Sequence, residues 1–363
     1  MGRQGVRGAD RTVGVRPGHQ GVRHHPGRSA RQGRRVSAAL GARPVAPWAT
    51  GLGLAVAALA GLCLGTPFVA PQDLLAMAPE SIAHLVVWEL RVPRVLIGLA
   101  GGAAIGTAGL LLQESLRNRL AVPEMLGVST GAALAVSVCV IWTLPVPPSL
   151  YPLAGLSGAA LGGLVTLAAA RSGRSAGGVL LIGAAVSTGI QALLLAVMAT
   201  ADRLQYDMLF RYLVGSLSGL MWEQASETLP WFAVALPLVV LCVPALSLLR
   251  LGDDAAASLG SRVNLARLGV LAVATLLIGA VTGPCGPIAW VGFLAPVLAR
   301  RLRPHAGARG WLPWSAALGA LVTVTADLAA RLAFDPVETP LGAWTALAGV
   351  LVGAVLLRRR ATS

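Results

Sequence analysis

Apolar stretches of membrane-spanning length follow one another along this chain from Trp48 to Leu357, broken mainly by Gly, Pro and short charged patches. A bilayer core asks for about 20 apolar residues per helix, and many of the runs meet or approach that length. Only 12% of the 363 residues are charged and 55% are hydrophobic, whereas an ordinary soluble domain is about 25% charged. A soluble chain of this length would carry polar faces and charged loops between its core segments. The expected fold is therefore all-α, a polytopic membrane protein.

The runs predict ten spans, over residues 46–68, 95–113, 126–144, 151–170, 179–200, 229–249, 266–281, 288–299, 311–333 and 341–357. The eighth is short and bounded by Pro287, as a partial or irregular span would be, with its freed backbone buried in protein. Ten spans put both termini on one side of the membrane, and the arginines choose the side. With the termini cytoplasmic, only Arg91, Arg94, Arg203, Arg211 and Arg331 lie outside, and the other 24 of the 29 lie inside. That asymmetry holds at every cytoplasmic loop, as the positive-inside rule requires. The expected location is the cytoplasmic membrane, crossed many times.

The net charge of +14 is uneven. Residues 1–45 hold ten arginines against one acid, Asp10, and lack apolar periodicity, so they are expected to form a disordered cytoplasmic tail ahead of a permease domain over 46–360. The tail is suited to anionic lipid, or reflects an over-extended start. It is too long for a signal-peptide n-region, and no small-residue cleavage site follows the first apolar run. Its basicity is no footprint for nucleic acid. The four cysteines (Cys63, Cys139, Cys242 and Cys285) fall in separate apolar stretches without metal-ligand spacing, which suits small buried hydrophobes. The sequence contains no lysine. A Walker A loop uses a lysine to reach the β- and γ-phosphates, so this chain is not expected to hold an ordinary P-loop ATPase; any dependence on ATP and magnesium would come from a partner, and no cofactor is expected on this chain.

Several short motifs recur in a fixed order. Leu90-Arg91-Val92-Pro93-Arg94 opens the second span. Gln113-Glu114-Ser115-Leu116-Arg117-Asn118-Arg119-Leu120-Ala121-Val122-Pro123 and Leu126-Gly127-Val128-Ser129-Thr130-Gly131-Ala132 follow. Then come Gly215-Ser216-Leu217-Ser218-Gly219, Leu251-Gly252-Asp253-Asp254-Ala255-Ala256-Ala257-Ser258-Leu259-Gly260 and Gly286-Pro287-Ile288-Ala289-Trp290-Val291-Gly292-Phe293-Leu294-Ala295-Pro296. Ala326-Asp327-Leu328-Ala329-Ala330-Arg331 and Glu338-Thr339-Pro340-Leu341-Gly342 close the series. In this order and spacing the chain resembles the FecCD family, the permeases of ATP-binding-cassette importers for ferric siderophores, haem and cobalamin. The resemblance runs from about Ala46 to Arg360. Arg119 stands where the family usually has Pro in an R-N-P-L-A run, and Val297 where it usually has His.

The resemblance implies a non-enzymatic permease subunit that pairs with itself or a close paralogue, binds cytoplasmic ATPase subunits inside and a substrate-binding protein outside, and carries a metal chelate, with a ferric siderophore the expected cargo. It implies that Leu251, Gly252, Asp253, Asp254, Ser258, Leu259 and Gly260 form the segment seated in the ATPase. It also implies that Arg91, Arg94 and Arg331 face acidic residues of the binding protein. Read from the residues alone, these arginines have local alternatives, since Asp327 and Arg331 are four apart on one helix face and Glu89 is near Arg91. For the path, Gly183, Ser187, Thr188 and Gln191 give a small, mildly polar stripe at helical spacing, with Ser172 and Ser175 in a Gly/Ser-rich loop suited to a gate. Packing is the alternative for that stripe. The glycines of the second span (Gly101, Gly102, Gly106, Gly109) and the small residues of the ninth (Gly319, Ala320, Ala326) suit close helix packing in lipid.

Two other classes are weighed against this one. An ion-coupled secondary transporter needs ionisable residues near the membrane midplane, and Asp327 is the single candidate well inside a span. An intramembrane enzyme needs a catalytic constellation, yet His84 and His305, the only histidines outside the tail, both fall in loops.

Overall fold

The computed structural model describes residue 2 and residues 47–361, except 76–77, 79–80, 148–149 and 171–175. The basic tail and the two gate serines, Ser172 and Ser175, lie outside the described residues. From Pro44 onward the chain is a single unit, and the fold described here is that of this unit.

Twelve helices carry it: α1 (Pro47–Cys63), α2 (Ile82–Ser115), α3 (Val128–Ile141), α4 (Tyr151–Ala170), α5 (Ala176–Met198), α6 (Arg203–Val214), α7 (Trp222–Leu249), α8 (Asp253–Ser258), α9 (Val263–Cys285), α10 (Val291–Leu302), α11 (Gly307–Leu332) and α12 (Leu341–Ala361). Short 3₁₀ turns occupy Asp73–Leu75 and Pro123–Leu126. No strand occurs among the described residues. Each of the ten predicted runs lies largely on one of these helices. Among the described residues six helices are long and apolar enough to cross a membrane, and Pro47–Cys63, Val128–Ile141 and Leu341–Ala354 are shorter apolar ones. The eighth run is the 12-residue α10. It is entered through Trp290, whose φ of 67° is rare for a bulky residue.

Helix α2 is the axis of the unit. Its apolar stretch is 78% buried, against 28% for those of α5 and α7. Large apolar side chains on the outer helices point away from protein, with Leu181 75% and Leu241 72% exposed. This inverts the pattern of a soluble protein and fits a lipid surrounding. Three prolines sit inside α7, at 230, 237 and 244, a load that membrane helices tolerate because neighbours can re-satisfy freed backbone groups.

The glycines explain how α2 comes to be so enclosed. It packs most extensively on α11. A Cβ at Gly102 would strike the Gly319 carbonyl oxygen, one at Gly106 the Ser315 carbonyl, and one at Gly109 the Gly292 carbonyl on α10. Gly127 and Gly131 meet Gly158 and Gly162 in the same manner where α3 crosses α4. Small residues four apart on both partners let backbones touch, which is the main way helices associate when lipid is as apolar as their side chains.

One element differs from the sequence reading. Residues 203–214, expected as part of an outer loop, form α6, begun by a capping box in which Gln205 N donates to Asp202 Oδ1 at 2.8 Å and Asp202 N to Gln205 Oε1 at 3.1 Å. The D-x-x-Q signal was present in the sequence, and the low hydropathy of the stretch obscured it.

Candidate functional site

Three arrangements stand out, one at each end of α2 and one in a cavity. At the Arg94 end, the Arg94 guanidinium reaches two acids. Its Nη2 donates to Asp327 Oδ1 at 2.8 Å and its Nε to Oδ2 at 3.0 Å, while Nη1 donates to the Glu338 carboxylate at 3.0 Å. Asp327 comes from α11 and Glu338 from the turn before α12, so one side chain ties three elements. Glu338 lies outside the spans. Burial pushes its carboxyl up, but Arg94, the Ser218 hydroxyl and Arg331 outweigh that and hold it below the usual carboxylate range.

Arg91 and Arg331 serve the end of α1. Arg91 Nη1 donates to the Leu62 carbonyl at 2.8 Å and Nη2 to Pro67 at 2.7 Å. Arg331 Nη1 donates to Gly61 at 3.0 Å and Nη2 to Leu64 at 2.7 Å. The last carbonyls of a helix lack intrahelical partners, and these two cations supply them. The residue exposures are 4% for Arg91, 9% for Arg94 and 8% for Arg331. Expected as docking residues, the three arginines have their heads occupied by acceptors of the same chain. The local alternatives need correction. Asp327 pairs with Arg94 rather than with its i+4 neighbour Arg331, and Arg91 bonds backbone carbonyls rather than Glu89.

At the Ser115 end lies the segment around α8. Gly252 (φ 110°) precedes it and Gly260 (φ 81°) ends its turn. Both values are in the region that glycine enters without steric cost. Ala256 is fully buried, whereas Leu251 and Leu259 are 60% and 63% exposed, and Asp254, Ser258 and Gly260 are exposed too. Asp253 Oδ1 accepts from Arg267 Nη2 at 2.7 Å, and Arg267 Nε donates to the Ser115 carbonyl at 3.2 Å. Arg250, just ahead of the segment, pairs with Glu114 at 2.7 Å, and Arg300 pairs with the other Glu114 oxygen at 2.9 Å. Arg300 also bonds Gln113. The Arg250 guanidinium stands 4.6 Å from the centre of the Trp311 ring, within cation–π range. Two ionic tethers thus fasten the α8 segment, before and after, to the last turn of α2. Glu114, Arg250, Arg267 and Arg300 were visible in the sequence only as charges at or near span ends, since their partners lie 14 to 187 residues away.

The third arrangement is a cavity of about 640 Å³, walled by Ser129 and Thr130 of α3, Ser187, Thr188 and Gln191 of α5, and small or apolar groups including Val214, Pro287, Ala343 and Ala346. The volume is within the usual range for small-molecule sites. Ser187 Oγ accepts from Gly127 N at 2.7 Å and donates to the Glu124 carbonyl at 2.8 Å, while Thr166 Oγ1 donates to the Leu126 carbonyl at 2.8 Å. The 3₁₀ turn Pro123–Leu126 is therefore pinned against α4 and α5. Three of the expected path residues, Ser187, Thr188 and Gln191, are at this wall. Gly183 is absent from it, because that glycine makes a backbone contact: a Cβ there would strike the Met125 carbonyl. Glu124, which also lines the cavity, was missed in the sequence, where it is a lone acid between Pro and Met.

The fold and these sites define a class, the helical membrane permease, with no metal-ligating cluster among the described residues. The comparisons narrow the class. The model of the FecCD transport family matches residues 53–359, and the chain belongs to that family. It is 30% identical over 313 residues to the Fe(3+)-citrate import system permease protein YfmE of Bacillus subtilis (strain 168), covering 84% of this chain and 92% of that one. It is 35% identical over 300 residues to the Fe(3+) dicitrate transport system permease protein FecD of Escherichia coli (strain K12), covering 82% and 93%. Among solved structures, a metal-chelate type ABC transporter in an inward-facing conformation superposes with a TM-score of 0.72 at 25% identity, over 86% of this chain and 97% of that one.

Proposed function

We propose that the chain is the membrane-spanning permease subunit of an ATP-binding-cassette importer that carries a ferric chelate, most readily a ferric siderophore, across the cytoplasmic membrane. In this reading it crosses the membrane ten times with both termini inside, pairs with a second permease subunit, binds ATPase subunits at the Ser115 end of α2 and receives its cargo from a binding protein at the Arg94 end. The observation that carries the proposal is the α8 segment. It is short, held between two left-handed glycines and tethered to α2, and it presents Leu251 and Leu259 to the outside of the chain. Exposed leucines flanking a braced turn suit a cleft in a partner, and family membership supplies the partner's class.

The arginine cluster takes a narrower role than direct gripping. Arg91, Arg94 and Arg331 build the platform by locking α1, α2, α11 and the Glu338 turn together, and the binding protein docks on what they hold in place. An ion-coupled carrier would need Asp327 free to exchange its ion, whereas Arg94 occupies both of its oxygens.

The test is co-purification. Leu251→Asp with Leu259→Asp should leave insertion and detergent stability unchanged and reduce recovery of the ATPase subunit at least tenfold. Full recovery of the ATPase with the double variant would contradict the assignment of this segment.

A further inference from the structure

Among the described residues that line it, the cavity beside α5 has one acid and no base. Among the residues that wall it, Glu124 is the single ionisable group. Those contributed by α3, α5, α6, α12 and the segment before α10 are hydroxyls, an amide or apolar groups. The Glu124 backbone is fixed by Ser187. Its carboxylate accepts from its own N–H and from that of Trp290, the residue that enters α10 in the left-handed conformation. Its place is therefore set by the fold. Ring charges and wall charges are how narrow paths select ions, and a fixed carboxylate facing a cavity of low polarity acts on any charge that enters.

We propose that Glu124 is a charge-selecting residue of the translocation path, disfavouring anionic chelates relative to neutral or cationic ones. The inference rests on the proposed importer function for its cargo, and on the geometry alone for the field inside the cavity. Glu124 stands between spans, and burial, offset in part by its two backbone hydrogen bonds, pushes its carboxyl up to about 7. The negative charge is therefore present on the alkaline side of neutrality and fades on the acid side.

The field can be measured without cargo. Ala343→Cys places a thiol on the wall, in a background whose four buried native cysteines are replaced. Two methanethiosulfonate reagents, one carrying trimethylammonium and one sulfonate, are reacted with it in the detergent-solubilised subunit. The ratio of their rates cancels the thiol's own ionisation. At pH 8 the cationic reagent should lead, and Glu124→Gln, which keeps the hydrogen-bond acceptor, should cut the ratio about tenfold, the scale expected for opposite unit charges near a fixed one. At pH 6 the two proteins should converge. An unchanged ratio at pH 8 overturns the proposal, as does failure of both reagents to reach either Ala343→Cys or Ala346→Cys. In the complete importer, Glu124→Gln should raise uptake of anionic ferric citrate relative to that of a neutral ferric trihydroxamate. If no ferric chelate is carried at all, the importer reading fails while the reagent ratio still decides the role of Glu124.

Discussion

A single buried guanidinium, that of Arg94, carries much of the architecture at one end of the molecule. Asp327 is 4% exposed and, among the described residues, its salt-bridge partner is Arg94. Removing one partner of a buried pair typically costs about 3–5 kcal/mol when the other charge is left unpaired; Glu338 still pairs with Arg94 when Asp327 is neutralised, so the cost should fall toward the lower end of that range. Asp327→Asn should therefore lower the thermal unfolding temperature in detergent markedly. Arg94→Gln combined with Asp327→Asn should cost clearly less than the sum of the two single changes; additive effects would show that the pair is not coupled. Glu338 should show itself through pH. Its carboxyl is held below its ordinary value of about 4.3. The stability it contributes is fully present above that value and is lost as pH falls through the lower, folded-state value. The stability gap between the wild-type protein and Glu338→Gln should thus stay constant from pH 8 to about 5.5 and close toward pH 3. A gap that opens or closes around neutrality would contradict this assignment. None of these pairings was legible in the sequence. Arg94 meets Asp327 at a sequence separation of 233, and a motif marks such residues without saying what they touch.

Elements were more legible than contacts. Apolar runs announced the long helices, and the small residues of the second and ninth runs proved to be two faces of one crossing, Gly102 and Gly106 against Gly319 and Ser315. Helix α6 was hidden because its residues are polar enough to pass for a loop. The irregular start of α10 showed only as a Pro and Gly cluster. The α8 segment was visible through its bracketing glycines, but its attachment to α2 was not, since Arg267 reaches Asp253 and the Ser115 carbonyl through the fold. That attachment yields a separate expectation. Arg267→Gln should leave the ATPase bound, because Leu251 and Leu259 are untouched, yet lower the hydrolysis rate stimulated by the binding protein about fivefold, since one of the two tethers between the α8 segment and the end of α2 is lost while Arg250–Glu114 remains. A charge exchange, Asp253→Arg with Arg267→Asp, should restore part of it. Unchanged stimulation in Arg267→Gln would remove this residue from the coupling route.

At the scale of the whole molecule, α2 is a buried rod with an ionic clasp at each end. One clasp joins it to α11 and the Glu338 turn, the other to the α8 segment and α10. A rod fixed at both ends by charge and packed along its length by glycine backbone contacts is suited to carrying a displacement from one side of a membrane to the other. The central claim is that this displacement is driven by a separate ATPase. The most direct measurement places the purified chain in lipid vesicles, alone or assembled with its ATPase subunits and binding protein, and follows entry of a radiolabelled ferric chelate. Uptake should require ATP and both partners, and should be absent with the chain alone under any imposed proton or sodium gradient. Gradient-driven uptake by the chain alone, without ATP, would contradict the account.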